Sequence, residues 1–183
     1  IDGIGKSAAR FDFKKLEDLN GHYIRHSDDT ELVRRIEDLL PEIEGGAQIL
    51  AKIDDAMRSK LARAMPGLKE RAKTLRELID GAQYLFAERP LTRDDKAEKI
   101  LDADARAALK SLHDRFAAAP AWTAAALEDE VRRYAAETGA KLGKIAQPLR
   151  AALTGRSVSP PVFDVLDVLG REESLGRIAD CAL

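Results

Sequence analysis

Apolar residues recur every three or four positions along almost the whole of this 183-residue chain, and no stretch shows sustained alternation of apolar and polar residues. That spacing is the helical one, because side chains three and four residues apart share one face of an α-helix. Aromatic residues make up only 5% of the chain, and residues that favour helices dominate it. The pattern predicts an all-α protein without a significant sheet.

Capping residues and prolines predict where the helices begin and end. Helix starts are expected after these polar residues: Asp28, Thr92, Asp102, Thr123 and Ser159. Ser159 is followed by two prolines, which suit a first turn because their missing N–H costs no hydrogen bond there. Breaks are expected at Pro66 and near Pro148, since proline cannot donate within a helix. Uninterrupted helix is expected over 49–64 and 68–86, and Glu88-Arg89-Pro90 indicates a boundary between two helical subdomains.

Several classes of protein are disfavoured by what the sequence lacks. No apolar run approaches the roughly 20 residues needed to cross a bilayer, so we expect a cytoplasmic protein without membrane contact. The single cysteine, Cys181, excludes an internal disulfide and a thiolate metal cluster. Glycine-rich phosphate-binding motifs are absent from the sequence. His22 and His26 are four residues apart and could share a metal, but two ordinary histidines are the favoured interpretation, and no metal is expected.

Charge is unevenly distributed, although the net charge is only −2. Between Arg58 and Arg76 seven basic residues are opposed only by Glu70, and the 141–156 stretch contains four basic residues and no acid. Such segregation predicts two locally positive surfaces suited to a polyanion, with solvated helix faces as the equally weighted alternative. Arg71 and Arg150 lie at the centres of the two stretches, and an arginine fork can bind a base edge or a phosphate.

The segment after the second basic stretch carries a further candidate site. The predicted helix start at Ser159 presents free amides and a positive dipole end, which favour a phosphate nearby. Spacing alone instead favours a purely structural role for four residues, as the cap and the core-facing side chains of a helix: Ser159, Pro160, Val162 and Phe163.

Three segments resemble bacterial glutamyl-tRNA synthetases. They are SAARFDFKKLEDLNGHYIR at 7–25, KERAKTLRELIDGAQYLF at 69–86 and GAKLGKIAQPLRAALTGRSVSPPVFDVLDVLGREESLGRI at 139–178. They follow the order of that family and together span almost the whole chain, from 7 to 178. The resemblance implies the C-terminal part of such an enzyme, in which two consecutive helical subdomains form an anticodon-binding cage. Residues 1–27 would end the stem-contact region, 28–89 would form the first subdomain and 90–183 the second.

The resemblance also implies residue roles. Arg71 matches the family position that inspects the third anticodon base and helps distinguish the glutamate tRNA from the glutamine tRNA. Five further residues match positions that line the pocket for the anticodon bases: Arg150, Ser159, Pro160, Val162 and Phe163. The expected partner is the anticodon arm of the glutamate tRNA, not DNA, and the chain is expected to be monomeric.

No catalytic residue is expected in this chain. The family's catalytic domain, which uses ATP and Mg²⁺ to ligate glutamate to its tRNA, should precede Ile1, so no cofactor is expected here. Without the resemblance, a helical protein-interaction scaffold with no RNA role fits the composition as well. A metal hydrolase built around His22 and His26 is a third, disfavoured hypothesis.

Overall fold

A computed structural model describes residues 12–182, and within them the prediction of an all-α fold is confirmed, with no strand. Two 3₁₀ turns lie at Leu40–Glu42 and Gln83–Leu85. The α-helices are α1 Phe13–His26, α2 Asp29–Leu39, α3 Gly46–Leu50, α4 Asp55–Lys69, α5 Leu75–Ala82, α6 Asp95–Ile100, α7 Ala103–Ala118, α8 Ala124–Thr138, α9 Leu142–Thr154, α10 Val162–Leu169 and α11 Arg171–Ala182. None of these helices is both long and apolar enough to span a bilayer.

Three of the predicted N-caps are confirmed by side-chain hydrogen bonds. Asp28 accepts from the backbone N–H groups of Thr30 at 2.9 Å and Glu31 at 3.0 Å. The carboxylate of Asp102 accepts from the backbone N–H of Ala105 at 2.8 Å, and the Thr123 hydroxyl caps α8 in the same way. Each cap satisfies N–H groups that have no partner within the helix.

Two other predicted helix starts are wrong. Asp94, rather than Thr92, caps α6, accepting from the Ala97 N–H at 2.6 Å. Ser159 does not cap α10, which follows Pro161 without a side-chain cap. The reason is that the Ser159 hydroxyl is already engaged, as described below.

The positions of several helix breaks also differ from the prediction. α4 runs through Pro66 and α9 through Pro148. A proline inside a helix loses one hydrogen bond and costs about 3 kcal/mol, which burial of apolar side chains on both sides of it can offset. The chain instead breaks between α3 and α4 at 51–54, inside the predicted 49–64 helix, and at 70–74, inside the predicted 68–86 helix.

The buried side chains form one hydrophobic cluster that extends from Ile24 to Cys181. α4 packs on α2 and α5, α7 packs on α9 and α11, and α10 contacts both α4 and α9. Arg177 on α11 is 2% exposed and donates to the carbonyls of Leu153 at 2.7 Å and Ala87 at 3.2 Å. The cluster therefore crosses the predicted subdomain boundary at Pro90, and the division into 1–27, 28–89 and 90–183 remains a prediction.

α1 packs on α4 and is also bonded to Lys73. The Lys73 ammonium pairs with Asp18 at 2.5 Å, and the Lys73 carbonyl accepts from the Asn20 side chain. Ile24 is buried, but four large apolar side chains on this helix are at least half exposed: Phe13, Leu16, Leu19 and Tyr23. Their spacing of three or four residues places them along one side of α1, where they face outward.

Candidate nucleic-acid interface

A groove of about 790 Å³ lies where the end of α4, the 70–74 segment and α5 face the chain between α9 and α10. Residues from both predicted subdomains line it, and they include Arg71, Tyr84, Arg156, Ser159 and Pro160. It is the part of the described molecule in which the two basic stretches meet. We refer to it below as the groove.

Two glycines allow the walls of the groove to approach each other. An added Cβ at Gly67 on α4 would lie 3.3 Å from Pro161 Cδ and 3.5 Å from Pro160 Cβ. Gly155, which ends α9, has φ +69°, and an added Cβ would lie only 2.4 Å from the Thr92 carbonyl oxygen. A side chain at Gly155 would therefore be strained as well as blocked, because L residues rarely adopt this φ. Both contacts hold the 155–161 segment against neighbouring elements.

Arg71 and Arg150 lie near each other beside this groove, close enough for their charges to interact. Arg71 is exposed and lines it, whereas Arg150 is half-buried behind Ser159 and donates from Nε to the Ser159 hydroxyl at 3.0 Å. Burial, and then the nearby Arg71 charge, lower the pKa of the Arg150 guanidinium from its ordinary value. No described carboxylate forms an ion pair with either arginine. Two like charges held together without a described counter-ion create a site for an anion or for acceptor atoms.

The other predicted site residues occupy different positions. Ser159 and Pro160 are buried at the groove wall, where the Ser159 hydroxyl also donates to the Pro160 carbonyl at 2.7 Å. Val162 is only 4% exposed and belongs to the core, and Phe163 packs against that core in a partly buried position. The structure thus brings three of the six predicted residues, Arg71, Ser159 and Pro160, to the groove lining, with Arg150 behind Ser159 and Val162 and Phe163 outside the lining. The RNA-binding role of all six stays a prediction.

Groove-lining residues that the sequence analysis did not single out carry charge of both signs. Lys96 is an additional cation, and four carboxylates also line the groove: Glu77, Asp80, Asp94 and Asp95. Glu77 accepts from the Lys73 backbone N–H at 2.6 Å, and the Ala97 N–H bond to Asp94 holds the pKa of that carboxyl below its usual range. The carboxylate of Asp80 has no hydrogen bond to a described residue, so its two oxygens remain free to accept from a ligand. The sequence contained no signal for these acids, since α5 and the start of α6 meet only in the folded chain.

Most basic residues of the first stretch form ion pairs with acids. The prediction of a positive surface is therefore wrong for these residues. The paired cations and their partners are Arg58 with Glu37 and Asp55, Arg63 with Asp167, Lys69 with Asp29, and Lys73 with Asp18. In contrast, no described acid pairs with the four basic residues of the 141–156 stretch, nor with Arg71. Cations without a described ion pair therefore remain at the groove and along α9, and at the groove they share the lining with the four carboxylates named above.

The histidine pair does not resemble a metal site. His26 Nδ1 lies 2.8 Å from the His22 carbonyl oxygen, and the two rings lie 4.2 Å apart between centroids. Among residues 12–182, no group of three or more His, Cys, Asp or Glu side chains is arranged to hold a metal ion.

The fold is that of a helical anticodon-binding domain, and the chain belongs to the anticodon-binding domain family, whose model matches residues 31–182. Its relatives within that family include glutamate–tRNA ligases. It is 59% identical to the one from Bradyrhizobium sp. strain BTAi1 over 98% of this chain, and 58% identical to glutamate–tRNA ligase 2 from Chelativorans sp. strain BNC1 over 100%. The resemblance seen in the sequence is thereby confirmed.

The chain spans only part of these proteins, 38% of the length of each of the two relatives. The crystal structure of a glutamate tRNA ligase from Elizabethkingia meningosepticum has the same fold over 97% of this chain and 33% of its own, with a TM-score of 0.79 and 22% sequence identity.

Proposed function

We propose that the groove binds the anticodon arm of the glutamate tRNA and that this chain is the tRNA-recognition part of a glutamate–tRNA ligase. The observation that supports this most is the Arg71–Arg150 pair, which has no described carboxylate partner and whose exposed member, Arg71, lines a groove open to solvent. Family membership and the similarity to glutamate–tRNA ligases support the choice of this RNA.

The chemistry of the groove suits a splayed RNA loop. Unstacked bases offer hydrogen-bonding edges, and a planar guanidinium can bind two acceptors on one edge or one phosphate. Arg71 is the exposed member of the Arg71–Arg150 pair, so we expect it to reach a base. Arg156 and Lys96, which also line the groove, attract the RNA backbone. The free Asp80 carboxylate accepts from an exocyclic amine and repels phosphate, so the groove favours a base over a backbone at that point.

The role of this chain in the reaction is indirect. By holding the anticodon arm it orients the tRNA, so that the distant acceptor end enters an active site in the part of the relatives that this chain does not span. ATP and Mg²⁺ would bind in that other part, with no cofactor and no catalytic residue in this chain. We further propose that the chain is monomeric, binds no DNA and acts in the cytoplasm.

A polarisation titration of the chain against three labelled anticodon stem-loops tests this function. The stem-loops carry the glutamate, glutamine and aspartate anticodons, and we expect the tightest binding to the first. Equal weak binding to all three would contradict anticodon recognition. Absence of binding to any of them, by a chain that circular dichroism shows to be helical, would instead favour the protein-interaction scaffold.

A further inference from the structure

We infer that Ser159 is a positioning residue, which fixes the guanidinium of Arg150 for RNA recognition and does not itself contact the RNA. This inference rests on the proposed function, because it assumes that Arg150 contributes to RNA binding. It assigns Ser159 a role different from the pocket-lining contact that the family resemblance implies.

The hydrogen bonds of the Ser159 hydroxyl support this role. A serine hydroxyl has one proton to donate and two lone pairs that accept. The proton is directed at the Pro160 carbonyl oxygen at 2.7 Å, and one lone pair accepts from Arg150 Nε at 3.0 Å. The residue is 9% exposed. Ser159 therefore has no proton left for an RNA acceptor and little surface with which to reach one.

The bond to Ser159 determines how Arg150 is presented. The guanidinium is planar, so a hydrogen bond at Nε restricts the orientation of its terminal Nη1 and Nη2 donors. Among the described residues, Ser159 supplies the one hydrogen-bond acceptor to this side chain. The positive charge of Arg71 opposes a fixed position for Arg150, and the Ser159 bond counteracts that repulsion. Holding a donor in its binding orientation before the ligand arrives reduces the entropy lost on binding.

A double-mutant cycle on binding of the glutamate anticodon stem-loop tests the inference. Ser159→Ala is expected to weaken binding roughly three- to tenfold, less than the full value of a hydrogen bond to a charged group, because Arg150 keeps its charge and loses only its fixed orientation. In an Arg150→Ala background the same substitution should cause no further loss, because the side chain through which Ser159 acts is gone. Ser159→Thr keeps the hydroxyl and should retain most of the affinity. The matched control is Ser174→Ala, which removes another buried hydroxyl, bonded to the Leu166 carbonyl, away from the groove.

The cycle separates the possible outcomes. Equal losses from Ser159→Ala in both backgrounds would mean a direct RNA contact and would overturn the inference, as would an unchanged affinity of Ser159→Ala. Unchanged affinity of Arg150→Ala would instead contradict the proposed role of the arginine pair. Melting temperatures are measured for every variant, and if Ser159→Ala does not fold, Ser159→Cys replaces it in the same cycle, since the thiol is a weaker hydrogen-bonding group of similar size.

Discussion

Arg71 and Arg150 approach the groove from the two predicted subdomains with different exposure, and this difference sets what each can do. Arg150 is half-buried and held by Ser159, whereas Arg71 is exposed and its guanidinium has no described hydrogen-bond partner. A partly buried arginine with a fixed orientation suits a constant feature of the ligand. A freely exposed one can adapt to a base edge, so sequence selectivity is expected at Arg71.

Replacing Arg71 with alanine should therefore reduce selectivity more than affinity. We expect the preference for the glutamate stem-loop over one altered at the third anticodon base to fall by about 1–3 kcal/mol, the value of one good paired contact. Arg76→Ala is the matched control, because Arg76 is an exposed arginine of the same basic stretch that does not line the groove. Competition binding of the two stem-loops measures the change, and equal loss of both affinities would assign Arg71 to phosphate contact instead.

Glu31 in the first turn of α2 should make stability depend on acid pH. Hydrogen bonds from Arg34 and Arg35 lower the pKa of its carboxyl from 4.5 to about 2. A carboxyl with a depressed folded-state pKa stabilises the protein above its unfolded value, and that stabilisation is lost as pH falls from 4.5 through about 2.

The Glu31→Gln variant should accordingly melt at a lower temperature than the wild type at pH 7. This gap in melting temperature should close near pH 2. Because the side chain is exposed, added salt should also reduce the gap. Thermal melts across this pH range measure it, with Glu44→Gln as a control at an exposed glutamate that has no described ion pair. A gap that stays constant down to pH 2 would show that the arginines do not act through the charge of Glu31.

At the scale of helices, the predictions from sequence were right for features that depend on neighbouring residues. They were wrong for features that depend on packing between helices. The caps at Asp28, Asp102 and Thr123 depend on a side chain and an N–H two or three residues away, so sequence alone could predict them. The continuation of α4 through Pro66 and of α9 through Pro148 depends on burial against other helices, which no local pattern encodes. Ser159 shows the same limit, since its bond to Arg150 replaced the expected cap.

Gly155 offers a test of how the end of α9 positions the groove. Gly155→Ala combines the cost of a left-handed residue, about 1–2 kcal/mol, with a collision at the Thr92 carbonyl, for roughly another 1–3 kcal/mol. Gly139→Ala is the matched control, because Gly139 has the same φ of +69° but no atom within 4 Å of the added Cβ. We expect urea unfolding to show the larger loss for Gly155→Ala and RNA binding to weaken only in that variant. Equal losses of stability in Gly155→Ala and Gly139→Ala would mean that the contact with Thr92 contributes nothing.

For the whole molecule, charge that is segregated in sequence is largely paired in space. Arg63 binds Asp167, 104 residues away, and Lys73 binds Asp18, 55 residues away. Such pairs cannot be read from a linear pattern, which is why the first basic stretch looked more positive than it is. The site residues could be predicted through family resemblance, whereas the acids that share the groove with them could not, because no single segment contains both.

This pairing predicts a modest salt dependence of RNA binding. Each neutralised phosphate of single-stranded RNA contributes about −0.7 to the slope of log K against log salt. Three cations without a described carboxylate partner line the groove, Arg71, Lys96 and Arg156, and a fourth, Arg150, lies behind Ser159. With Arg71 on a base, the slope should lie roughly between −2 and −3. Titrations of the glutamate stem-loop at several salt concentrations measure it.

Two variants identify the cations responsible for that slope. Arg156→Ala should make it shallower by about 0.7, since one phosphate contact is removed. Arg58→Ala should leave it unchanged, because Arg58 is already paired with Glu37 and Asp55 and lies away from the groove. A wild-type slope of about −5 or steeper, together with a shallower slope in Arg58→Ala, would show that RNA displaces those carboxylates. The footprint would then extend over α4, and the groove would be only its centre.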